Sequence, residues 1–160
     1  MAFQPLELAN AFVSIALEHR QIVSPMKLQK LVYYANGWWM EQNEGEPLME
    51  GGFQAWKFGP VNLSIYRAFK KYGGDPITSP CHGIVLRGGN YEYGVPCLED
   101  DSALEFLEAI WASYGAISAE KLSHMTHVPG TAWHEVYKRN KKDIRIPRSL
   151  ILKEFQGRLA

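Results

Sequence analysis

Cysteine, net charge and long apolar runs are all scarce in this chain, and each shortage closes off a class of protein. Two cysteines, Cys81 and Cys97, are too few for a disulfide scaffold. The 17 basic residues are matched by 17 acidic ones, so no long-range field draws the chain toward DNA or RNA. No apolar run approaches the ~18 residues that mark a membrane span. The opening "MAFQPLELANAFVSIALEHR" carries no basic leader, and Glu7 and Glu18 interrupt its apolar positions, the pattern of a helix rather than a signal peptide. Together these absences predict a cytoplasmic protein with reduced thiols and no membrane association. Catalytic fingerprints are missing as well: there is no GxSxG, Walker phosphate loop, dinucleotide-binding glycine pattern or HExxH.

What remains is a chain of 160 residues, 46% of them hydrophobic, enough for one domain that buries roughly two-thirds of its extended surface. Nothing repeats and no long linker divides it, so residues 1–160 read as a single domain. Ala9, Phe12, Val13, Ala16 and Leu17 form the stripe of a first helix. "SPMKLQKLVYYANGWW" opens a second, with Ser24 as N-cap and Pro25 at the first helical position. Gly37 costs that helix up to ~1 kcal/mol, which predicts either a close neighbour or an early end.

Phe53 to Phe58 reads as a short strand, with Trp56 and Phe58 on one side and Gly59-Pro60 as its stop. A helix over 61–72 follows, ended by Gly73-Gly74. "GIVLRGGNYEYGV" suggests a hairpin turning at Gly88-Gly89-Asn90, with an irregular loop as the alternative. Ser102 and Glu105 look like a capping box, Ser118 starts a helix between Ile117 and Leu122, Thr131 starts a short one, and "PRSLILKEFQG" forms the last. The fold class expected is mainly α: a bundle of six to seven helices with a small β element.

Candidate chemistry is thin. His124 and His127, three apart, share a helix face, with His134 nearby, but a metal site needs three or four converging ligands. Local hydrogen bonding and capping is the simpler reading, and a metal-dependent hydrolase at His124 and His127 is the weakest of the alternatives carried here. Cys81 and His82 are adjacent in extended chain and point apart, so they do not make a nucleophile pair. The glycine pairs are isolated turns. No cofactor, catalytic residue or metal ligand is assigned.

Glu99, Asp100, Asp101, Glu105 and Glu108 crowd one helix start, where carboxylates favour the first turn. The basic run over 138–148 lacks the aromatic interleaving of a single-strand groove and reads first as a solvated connector, then as a partner patch. Aromatics are the richer signal, with five Trp, eight Tyr and seven Phe. Adjacent pairs Tyr33-Tyr34 and Trp38-Trp39 lie ~100° apart on a helix, so one member of each faces the core and the other looks outward or meets another element. Trp and Tyr also dominate interaction hot spots.

Three blocks, "SPMKLQKLVYYANGWWM" (24–40), "PLMEGGFQAWKFGPVNLSIYRAFKKYG" (47–73) and "LSHMTHVPGTAW" (122–133), resemble in order the signatures of the Panacea domain family, the SocA-like antitoxin and phage-associated proteins. The likeness runs over roughly residues 6–155. It implies a mostly helical protein of bacteria, phages or prophages that neutralises a toxin by direct contact, with delivery of that toxin to a protease as a second implied route. It implies no enzyme and no catalytic set. The implied partner is a protein, a toxin encoded by a neighbouring gene; a protease partner and self-association are further options.

On the shared blocks the resemblance singles out Lys27, Lys30, Tyr33, Tyr34, Trp38 and Trp39. It adds Trp56, Gly59, Pro60 and Tyr66, then His127 and Trp133, as scaffold or interaction candidates. Ala132 stands where the family pattern leads one to expect proline. The rival reading is a nucleic-acid-binding regulator that uses the 24–36 helix or the basic 138–148 run.

Overall fold

The computed structural model describes residues 2–158. Proline in the first turn starts the first two helices. Pro5 opens α1 (Pro5–Glu18), where the Glu7 carboxylate accepts from the Gln4 amide at 2.9 Å; Pro25 opens α2 (Pro25–Gln42), where the Ser24 hydroxyl accepts from Lys27 N. A tight hairpin follows, β1 (Gln54–Trp56) antiparallel to β2 (Gly59–Val61), with Trp56 paired to Gly59 across the turn. Asn62 then caps α3 (Leu63–Phe69), which runs on as a 3-10 turn over Lys70–Tyr72. A second hairpin joins β3 (Gly83–Arg87) to β4 (Asn90–Gly94), turning at Gly88-Gly89. Four helices complete the chain: α4 (Asp101–Tyr114), α5 (Ala119–Met125), α6 (Ala132–Val136) and α7 (Arg148–Arg158).

The mainly α architecture follows from α2. Helices α1, α3, α4, α5 and α7 and strand β2 all pack around it, so every residue from Lys27 to Gly37 is buried. A helix enclosed on all sides is usually apolar all round. This one carries Lys27, Gln29, Lys30 and Asn36, and each is answered. Lys27 Nζ donates to Gly115 O, and the Asn36 carboxamide oxygen accepts from Leu48 N at 2.9 Å and Met49 N at 3.2 Å. Gln29 and Asn62 exchange two bonds with each other's amide groups at 2.9 and 3.0 Å.

Gly37 has its close neighbour. A Cβ there would fall inside the ring of Phe155 on α7, and that ring packs against Tyr33, Tyr34 and Trp38 at 5.2–5.7 Å between centroids. Both tyrosines are fully buried, because a surrounded helix has no outward side for the second one to occupy.

Other expectations need correction. Gly59-Pro60 does not end the strand region. The positive φ of Gly59 (116°) turns the chain back, and Pro60 sits in β2, where it needs no donor. Consequently the helix begins at Leu63 instead of 61. The capping residue of α4 is Asp100, which accepts from Ala103 N at 2.8 Å, rather than Ser102. Leu17, expected in the stripe of α1, is 44% exposed at its last turn.

Candidate protein-interaction surfaces

The turn of the first hairpin presents three consecutive carbonyls, those of Trp56, Lys57 and Phe58, to the helices beside it. Side chains from α5, α6 and the turn between them take all three. Trp133 Nε1 donates to Trp56 O at 2.6 Å, the Ser123 hydroxyl donates to Phe58 O at 2.6 Å, and His127 Nε2 lies 2.9 Å from Lys57 O. The other ring nitrogen of His127 meets Ser123 O, and the ring packs on Trp133 at 3.9 Å between centroids. From the opposite side Lys30 Nζ donates to Pro60 O at 3.3 Å. Hence the three motif blocks converge on one small hairpin: the first supplies Gln29 and Lys30, the second is the hairpin, and the third supplies Ser123, His127 and Trp133.

Gly59 fits nothing larger. A Cβ there would lie 2.7 Å from both Lys30 Cε and Thr126 Oγ1. Lys30 itself is 1% exposed, and burial pushes its pKa from 10.5 down to about 7. The clamp fixes where the turn points. Phe58 is 57% exposed, Trp56 is half-buried, and Trp56 meets the exposed Tyr66 of α3 edge-on at 4.8 Å. A groove of about 440 Å³ opens between this turn, the start of α2 and α3, lined by Met26, Val61, Ile65 and these three aromatics, with lysines beside them.

The basic run is exposed over residues 138–143 and tied down just beyond them. Ala55 N donates to Ile144 O at 2.8 Å and Ile146 N to Phe53 O at 2.9 Å, so residues 144–146 add an extended segment to the edge of β1. Lys142 Nζ is thereby placed 4.9 Å from the centroid of the Trp56 ring. Nor is the 24–36 helix available to enter a DNA groove, since it is buried from Lys27 onward.

The histidines do not assemble. His124 is exposed, His127 lies between two backbone carbonyls, and His134 Nδ1 lies 3.1 Å from His127 O. Among the described residues no three His, Cys, Asp or Glu side chains come together to hold an ion. Cys81 is half-buried against Asn10, which donates to Cys81 O at 3.0 Å and accepts from Cys81 N at 2.8 Å; burial raises its thiol pKa. Cys97 is exposed and also free.

One polar cluster had no signal in the sequence beyond an i,i+4 pair in the last helix. Glu154, 5% exposed, accepts from Tyr33 OH at 2.7 Å and Ala132 N at 3.0 Å on one oxygen, and from Arg158 Nη2 at 2.8 Å on the other. Arg158 reaches on to Tyr34 OH at 3.2 Å and Met125 O at 3.3 Å. Burial raises the pKa of both tyrosines, Glu154 adding to the effect; Tyr33 OH donates to that carboxylate, while Tyr34 OH accepts from Arg158. Tyr34 stacks on Tyr114 at 4.6 Å, and Tyr114 OH accepts from Trp38 Nε1 at 2.7 Å. Thus Tyr33, Tyr34 and Trp38 hold α2 to α4 and α7, while Trp39 meets Phe106 edge-on at 5.1 Å.

A second surface lies outside the motif blocks. On one face of the β3–β4 hairpin, Ile84 pairs with Tyr93 and Leu86 with Tyr91, and all four are 61–77% exposed. The opposite face carries Val85, Glu92 and Arg87, the last two 3.5 Å apart. Both strands are edge strands, so unpaired backbone groups run alongside the apolar side chains. Four large apolar groups in register on a two-stranded sheet have no role in the core.

Comparison with known proteins follows the same blocks. The family model for "Antitoxin SocA-like, Panacea domain" matches residues 28–134. Among curated proteins, "Antitoxin SocA" of Caulobacter vibrioides (strain NA1000 / CB15N) is 34% identical over 112 residues, covering 69% of this chain and 58% of that protein. The chain therefore spans less than two-thirds of that relative's length. No solved structure matches it.

Proposed function

The chain belongs to the Antitoxin SocA-like, Panacea domain family, and from that premise we propose that it neutralises a toxin, encoded by a neighbouring gene, by binding it directly. The exposed apolar face of the β3–β4 hairpin carries this reading. Ile84, Leu86, Tyr91 and Tyr93 present a patch of aliphatic and aromatic area of the kind that anchors protein interfaces. Its place between the scaffold blocks suits a surface whose partner differs from one family member to another. No reacting side chains converge beneath it.

Two experiments test the proposal. Co-expression with the product of the adjacent gene is expected to relieve the growth arrest which that product causes, and the two proteins are expected to co-purify. Arrest that persists with both proteins present and folded removes the antitoxin assignment for that neighbour. The double variant Leu86→Ser, Tyr93→Ser is expected to lose co-purification while its unfolding free energy in urea stays within ~0.5 kcal/mol of wild type, because both side chains are exposed. The route is read from the toxin's half-life: masking leaves the toxin stable in the complex, whereas delivery to a protease shortens its life when this protein is supplied.

A further inference from the structure

The groove under the β1–β2 turn has an uneven chemistry. Its floor is apolar, with Ile65 1% and Val61 8% exposed, and Trp56, Phe58 and Tyr66 rise at its edge. Lys30, Lys57, Lys70 and Lys142 also line it, and none of its described lining residues is acidic. On a chain whose charges cancel, the three exposed amines of Lys57, Lys70 and Lys142 around one apolar hollow form a local excess that the overall balance conceals. Lys30 is buried and committed to Pro60 O.

We propose that this groove receives a segment of a protein partner that places an apolar side chain in the hollow and carboxylates against the surrounding lysines. Charge complementarity selects the occupant. A volume of about 440 Å³ holds one or two large side chains. Lys57, Lys70 and Lys142 are exposed, so they favour an acidic segment through encounter rate and register more than through affinity. The apolar anchor and the aromatic edge supply the binding energy.

Single-stranded nucleic acid is the competing occupant, since it too uses aromatics and lysines. It needs free ring faces, and here Lys142 Nζ sits over Trp56, Lys57 Nζ sits 5.4 Å over Phe58, and Tyr66 packs against Trp56. Clamping of the turn from both sides adds to the case for a peptide. A pre-formed receptor loses little entropy on binding, and Ser123, His127, Trp133 and Lys30 hold this one in place before any partner arrives.

The inference rests on the protein-binding reading above, but not on the partner being a toxin. Its test is selection of a phage-displayed random dodecapeptide library on the full chain, with the Phe58→Asp, Lys142→Glu variant as counter-selection. Enriched peptides are expected to combine Leu, Phe or Trp with Asp or Glu. In fluorescence anisotropy they are expected to bind at least 10-fold more weakly to Lys57→Glu, Lys142→Glu, a variant that keeps the wild-type urea midpoint. Selection of no groove-dependent peptide, or of neutral or basic ones, overturns the proposal. So does a labelled oligothymidylate whose binding is lost in the same variants, or a wild-type dimer in sedimentation that these substitutions dissociate. Rescue of growth by the groove variants separates the two readings: failure of the peptide selection with rescue intact sinks the groove alone, and successful selection without rescue by wild type sinks the antitoxin assignment alone.

Discussion

A lysine that meets one carbonyl and almost no water is an unusual choice for the middle of a helix. The folded pKa of Lys30, about 7, lies below its ordinary 10.5, so between those values the unfolded chain holds a proton that the folded chain does not. Stability from this group therefore rises with pH across that window, by at most roughly 1.4 kcal/mol per pH unit. We predict that wild type gains stability relative to Lys30→Met from pH 7 to pH 9 in urea titrations; a difference that stays flat with pH would show the amine to be hydrated. Glu154 presents the opposite case, a buried charge fully answered. Replacing it with alanine strands Arg158 and leaves Tyr33 OH and Ala132 N without their acceptor, so Glu154→Ala should lose ~3–5 kcal/mol in the same assay. Neither role was legible beforehand. Lys30, Glu154 and Arg158 read as wet by residue type, and only the packing of α2 and α7 against distant partners makes them dry.

Secondary elements were more legible where their signals are local. Ser24, Ser118 and Thr131 cap the helices they were expected to cap, and Gly88-Gly89 turns the hairpin that it suggested. These choices depend on neighbours a few residues away. The β1–β2 hairpin went unread because its stability is not local. Gly59-Pro60 in isolation stops a strand; here Lys30, Ser123, His127 and Trp133 supply the bonds that make the turn hold. For the same reason Trp56, a scaffold or interaction candidate, and Phe58, placed beside it on one side of a strand, form the edge of a groove. Gly59→Ala should cost at least ~1–3 kcal/mol from its positive φ alone. The clash with Lys30 and Thr126 should shift the tryptophan fluorescence of the folded state as well, through Trp56 and Trp133; an unchanged melt and spectrum would mean that the turn is loosely held.

For the molecule as a whole, the mainly α class was legible from periodicity, and family membership from three ordered blocks. The interaction surfaces were only partly so. An alternating Ile, Leu, Tyr, Tyr pattern describes a hairpin face buried or bare, and only the structure shows that Ile84, Leu86, Tyr91 and Tyr93 stay exposed, with the His82 ring stacked on Tyr93. No described helix is long and apolar enough to cross a membrane; the hairpin face is a separate surface formed by β3 and β4. If it is a toxin-binding surface, limited proteolysis should cut between Arg87 and Asn90 in the free protein and be slowed at least 10-fold in the complex. Equal cutting in both would place the toxin elsewhere.

Helix α2 lies early in the chain, yet α7 supplies the ring that fills the hollow over Gly37 and the carboxylate that reaches Tyr33. Until the segment after Pro147 docks, α2 therefore lacks its cover on the α7 flank, although α1, α3, α4, α5 and β2 surround the rest of it. A chain truncated before Arg148 is expected to leave the Tyr33, Tyr34 and Trp38 flank of that helix uncovered.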